Sequence, residues 1–141
     1  MLQLRIPRCA QSASWLDEGV ATWLEIRASD EEAGSGALRT DLLDLLRQAR
    51  SSGAALSFGA MLRLPPGEFQ GPSARVRYAQ AWAMIHFLVE GTGAGGRARF
   101  LRLLDALDDG RGAYERALAS VYGLSGGDLE SAWRGHLDSL R

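Results

Sequence analysis

The sequence contains no lysine, a single cysteine and only two histidines in its 141 residues. All sixteen basic residues are arginine, scattered along the chain, and with seventeen acids they leave a net charge of −1. That balance offers no basic patch for nucleic acid or for an anionic membrane, so neither is expected as a partner. Cys9 has no second cysteine to pair with, which excludes an internal disulfide. No apolar run is long enough for a transmembrane span, and the opening MLQLRIPRC is too short in apolar residues for a signal peptide. A soluble chain is expected, with its compartment left open. Strand alternation does not recur and no repeat period is visible, so a helical solenoid has no support.

A hydrophobic content of 46% is ample for one core at this length. The expected fold is all-α, a single domain over residues 1–141 with about five main helices. Residues 1–13 read as an extended lead-in or tail, LQLRI alternating ahead of Pro7. A first helix is expected over about 15–28, closed by a solvated loop at Asp30, Glu31 and Glu32. A second, over about 37–50, repeats Leu38, Leu42, Leu45 and Leu46. Ser57 is placed to cap a short helix over 58–63, and the prolines and glycines of 64–73 are read as an irregular loop between helical layers. The third main helix, about 73–90, carries Tyr78, Trp82, Ile85 and Val89 on one stripe. Further helices follow over about 97–108, 112–121 and 127–140.

The stretch SWLDEGVATWLE, Ser14 to Glu25, holds the most chemistry. Ser14 is a good N-cap, and Asp17 suits the positive end of the helix dipole. Trp15, Leu16, Val20, Trp23, Leu24 and Ile26 cover most of the helix surface and leave a narrow strip of Glu18, Thr22 and Glu25. Their i, i+4, i+7 spacing sets two carboxylates on one face. A carboxylate among apolar residues has to be paired, hydrogen-bonded, protonated or metal-bound. Pairing of Glu18 with Arg27 or Arg75 meets that need, and so does a metal.

WLDEGVATWLE resembles the segment that follows the HExxH motif in gluzincin metallopeptidases, the peptidase-MA-like group of zinc enzymes. The resemblance implies Glu18 as the third zinc ligand, Gly19 as the small residue after it, and Glu25 and Thr22 as supporting polar residues. It further implies a tyrosine on a later helix that stabilises the transition state, for which Tyr78 in RYAQAWAMIHFL is the match. The closing segment GAYERALASVYGLSGGDLESAWRGHL is similar to the end of uncharacterised bacterial proteins of that group. The fold implied is the helical C-terminal subdomain of a zincin, and the activity is peptide-bond hydrolysis by zinc-activated water.

The match is incomplete. HExxH supplies two histidine ligands and a glutamate base, and neither His86, followed by FLVE, nor His136, followed by LDSL, begins that motif. In the family it lies about twenty residues before the ligand glutamate, ahead of Met1 here. Zinc is thus expected only if that segment lies upstream, and none for this chain alone, which is not expected to be active as it stands. Two readings stay open: the C-terminal part of a zinc peptidase acting on peptides or proteins, or a non-catalytic helical module, a pseudoenzyme or peptide-binding domain. For Tyr78, a core position and an oxyanion donor are equally compatible with the pattern. His86 and His136 are read as structural or surface residues. The loop GTGAGG follows a helix and ends in Arg97, so it lacks the strand and the lysine of a phosphate loop. If the HExxH helix is absent, Trp15, Leu16 and Trp23 are expected to be partly uncovered, giving a homodimer or a sticky monomer with its contact on the first helix.

Overall fold

A computed structural model describes residues 14–33, 36–108 and 114–140. Among them lie seven α-helices and no strand, so the chain is all-α. The helices are α1 (Ser14–Ala33), α2 (Ala37–Ser52), α3 (Phe58–Leu62), α4 (Ala74–Glu90), α5 (Gly96–Asp108), α6 (Tyr114–Tyr122) and α7 (Gly126–Ser139). A single 3-10 turn, Pro66–Phe69, sits between α3 and α4. The expected lead-in over 1–13 lies outside the described residues.

Helix α4 is the axis of the molecule, because its sequence is apolar on nearly every side. Ala79, Ala81, Ala83, Met84, Ile85 and Leu88 are all fully buried. A helix of that kind is stable only when other helices surround it, and α1, α2, α5 and α7 do so. The stripe of Tyr78, Trp82, Ile85 and Val89 is therefore only part of its contact surface. Phe58 of α3, Phe87 of α4 and Trp133 of α7 meet edge to face, with centroids 5.6–6.3 Å apart, and tie three helices together. Ser57 caps α3 as expected, its Oγ accepting from the Ala60 N–H at 3.1 Å. Ser125 does the same for α7 through the Asp128 N–H.

Several expectations are corrected. Helix α1 continues through Asp30, Glu31 and Glu32 to Ala33, since a run of acids flanked by alanine has adequate helix propensity and needs no loop. On α2 the buried stripe is Leu43, Leu46 and Ala49, while Leu38 is 42% exposed. The segment 64–73 is not wholly irregular, because Pro66 can start a helical turn where its missing N–H costs nothing. Trp15, Leu16 and Trp23 are not uncovered: they are 0%, 5% and 8% exposed, packed in the shared core with α4. The patch on which a homodimer through the first helix was expected is thus absent, and Leu24 at 43% is the large apolar residue that α1 leaves outside.

Two buried polar side chains, Arg77 and Gln80, tie the segment after α2 onto α4. Arg77 Nη1 donates to the Ala54 carbonyl at 3.0 Å and to Gln80 Oε1 at 2.8 Å, and Gln80 Nε2 donates to the Leu56 carbonyl at 2.9 Å. No helix among the described residues is long and apolar enough to cross a membrane.

Candidate functional site

The site begins with Gly19. A Cβ there would lie 2.7 Å from the Ala81 carbonyl oxygen and 2.8 Å from Ile85 Cγ1, so only glycine lets α1 approach α4 this closely. That approach carries the preceding residue, Glu18, to the side of Tyr78. The Tyr78 phenol stands beside the Glu18 carboxylate, close enough to feel its charge. Phe69 of the 3-10 turn packs edge-on against the Tyr78 ring at 5.3 Å and holds it.

Burial first, then the Glu18 charge, push the Tyr78 phenol above its ordinary value of 10. At neutral pH the tyrosine therefore keeps its proton and remains a donor. The pair stands at an open cleft of about 360 Å³ between α1, α2 and α4. Glu18, Thr22, Glu25 and Tyr78, the four site residues expected from sequence, all line it. Thr22 is half-buried and Glu25 is exposed. Asp41 and Arg75 line it too, so three carboxylates face one guanidinium. Asp41 was not foreseen, because nothing in the α2 pattern marks the side it turns to α1. Arg75, one of the two partners expected for Glu18, shares the cleft with it. The alternative, Arg27, lies instead over the Trp23 ring, 4.8 Å from its centroid.

The histidines do not join this cleft. His86 stands eight residues beyond Tyr78 on α4, about 12 Å along the axis at 1.5 Å per residue. There it contacts His136 of α7, Nδ1 to Nε2, at 2.9 Å. Their sequence separation of fifty gave no sign of the pairing. The glycine loop after α4 is a tight connection, with Gly93 and Gly95 at φ 87° and 81°. Arg99 closes it from within, donating to the Thr92 carbonyl at 2.7 Å.

Among the described residues no group of three or more His, Cys, Asp or Glu side chains is arranged to hold a metal ion. Of the zinc ligands that the resemblance implies, the cleft holds Glu18.

A family model described as protein of unknown function (DUF1570) matches residues 5–105. The chain belongs to the DUF1570 family. No curated protein and no solved structure matches it. Every residue lining the Glu18–Tyr78 cleft falls inside the DUF1570 stretch, whereas α6 and α7 lie beyond it.

Proposed function

We propose that this chain carries the glutamate and tyrosine of a gluzincin-type zinc peptidase site, and that the histidine ligands and the base come from an HExxH helix outside this sequence. One observation carries the reading. Glu18 and Tyr78, matched by resemblance sixty residues apart, line one open cleft, where the carboxylate charge helps to hold the phenol protonated. In such a site zinc would supply an activated water. This chain's part is narrower: Glu18 presents a carboxylate fixed on a rigid helix, and Tyr78 holds a proton at its phenol oxygen that a developing oxyanion could accept as a hydrogen bond.

The test uses the natural protein purified from its own source, with whatever precedes Met1. Zinc by elemental mass spectrometry is expected near one per chain. Glu18→Ala should lose it, and Tyr78→Phe should keep it while hydrolysis of a mixed peptide library falls. A natural protein free of zinc, or a Glu18→Ala variant that retains it, would overturn the reading.

The excess of acid in the cleft favours a second reading, a non-catalytic site for the ammonium end of a peptide. Carboxylates of Glu18, Glu25 and Asp41 suit that group. Recovery of the bound peptide uncleaved from a zinc-free protein would select it.

A further inference from the structure

A second hollow, about 690 Å³, opens between α2, the start of α3, α4 and α7. It shares no lining residue with the Glu18–Tyr78 cleft. The cleft is lined by Leu38, Asp41, Leu42 and Leu45 of α2, and this groove by Leu46, Arg47, Arg50 and Ser51. At helical spacing these are opposite flanks of α2. The two sites are therefore separate, and a ligand of the groove is independent of the peptidase reading.

The floor of the groove is apolar, made by Leu46, Leu56, Trp133 and Leu137, and its rim carries Arg47 and Arg50 from α2 and Arg134 from α7. The rim guanidiniums outnumber the one lining carboxylate, Glu130, by three to one. Each arginine is engaged by a carboxylate of the chain itself: Asp44 on Arg47 at 3.2 Å, Asp138 on Arg50 at 2.7 Å, and Glu130 on Arg134 at 3.2 Å. Asp44 and Asp138 are 57% and 68% exposed. Exposed pairs such as these two are weak, so an incoming carboxylate can displace them at little cost. Glu130, by contrast, is anchored by the Phe58 N–H and stays on Arg134 through Nε, leaving the outer nitrogens of that exposed guanidinium to a ligand. The Asp44 and Asp138 pairs stand where carboxylates of a ligand would stand.

We propose that this groove binds an acidic peptide segment in extended form, its carboxylates on Arg47, Arg50 and Arg134 and its alternate apolar side chains on the floor. An extended strand turns successive side chains to opposite sides, which suits a groove with a basic rim and an apolar floor. A membrane surface suits it less. Trp133 is 2% exposed and recessed, and a lipid headgroup layer needs protruding apolar residues to enter it.

The test is fluorescence anisotropy of a labelled octapeptide of alternating glutamate and leucine, titrated with the intact chain at low salt. Matching peptides carry glutamine or lysine in place of glutamate, and phosphatidylglycerol vesicles are titrated in parallel. Saturable binding of the glutamate peptide is expected, weakening with salt and absent for the lysine peptide. The double variant Arg47→Gln, Arg134→Gln should weaken it about tenfold, the effect of two lost charged contacts. Glu25→Gln, in the other cleft, should leave it unchanged. Circular dichroism of the double variant should match the parent, and the single variant Arg47→Gln, with an intermediate loss, covers the case in which it does not. Equal affinity for the glutamine peptide, an unaltered affinity in the folded double variant, or binding to vesicles without binding to peptide would each overturn the proposal.

Discussion

His86 Nδ1 lies 2.9 Å from His136 Nε2, and His86 Nε2 lies 2.6 Å from a Glu90 carboxylate oxygen, so two imidazoles and a carboxylate form one line from α4 to α7. Only one of the two facing nitrogens can carry the proton of their hydrogen bond, so they cannot both be fully protonated where they stand. His136 is seated against the backbone at Gly91, where a Cβ would come within 2.5 Å of its Nδ1.

The pair makes stability depend on pH. Burial, then the His86 charge, with Glu90 opposing and Arg39 of α2 adding, lowers His136 from 6.5 to about 4. Burial also lowers His86, while Glu90 works against it and Arg39 with it. Because the folded values lie below the unfolded ones, the unfolded chain takes up protons first as pH falls. Stability is then full above about pH 6.5 and declines toward pH 4. With both rings partly in solvent, a loss of about 1–2 kcal/mol is expected over that window. Urea melts at pH 7.5 and at pH 5 measure it. His136→Gln should flatten the slope, and an unchanged slope would remove the pair as its cause.

Gly19→Ala should be destabilising although alanine is the better helix former. The gain in propensity is about 1 kcal/mol. Against it stands a Cβ at 2.7 Å from the Ala81 carbonyl, a backbone atom that cannot turn aside. Overpacking of this sort costs about 1–3 kcal/mol, and it also pushes Glu18 away from Tyr78. A thermal melt no lower than that of the parent would show that α1 can shift freely on α4.

The all-α fold was legible because helical periodicity is a local property. The caps at Ser57, the span of α4 and the presence of helices near α5, α6 and α7 all follow from residues close in sequence. What failed was information carried between helices. Trp15, Leu16 and Trp23 were expected to need a partner from outside, yet the shared core around α4 buries them, with Tyr114 of α6 edge-on against Trp15. Glu18, Thr22, Glu25 and Tyr78 were legible as a set through the EG segment and the spacing to a later tyrosine. The remaining cleft residue, Asp41, and the histidine pair depend on how α2 and α7 turn toward their neighbours, which no spacing within one helix records.

Gln80 is the residue whose loss should cost most for its size. It is 2% exposed, and it both receives from Arg77 and donates to the Leu56 carbonyl. Gln80→Ala takes the partner from the Leu56 carbonyl and leaves Arg77 Nη1 with the Ala54 carbonyl alone, a penalty of about 1–3 kcal/mol. Gln80→Glu keeps the acceptor for Arg77 but faces the Leu56 carbonyl without a donor, so partial recovery is expected. Denaturant midpoints of the two variants decide this, and equal midpoints would show that the acceptor half of the latch, the contact with Arg77, carries nothing.

Tyr78 and Glu18 can be tested against each other without any metal. The Glu18 charge helps to hold the phenol above 10, and Glu18→Gln removes the charge while keeping the shape. Ionisation of Tyr78 should then move down toward its ordinary value, since the repulsion against a phenolate is gone and only burial still opposes the charged form. Ultraviolet difference titration reads the change, with Tyr78→Phe identifying which tyrosine contributes the step. Stability should change by less than about 1 kcal/mol in Tyr78→Phe, because the ring and its contact with Phe69 remain. If the titration of Tyr78 is the same with glutamine at position 18, the two side chains are not coupled, and the cleft loses the contact on which its reading as a hydrolase half-site depends.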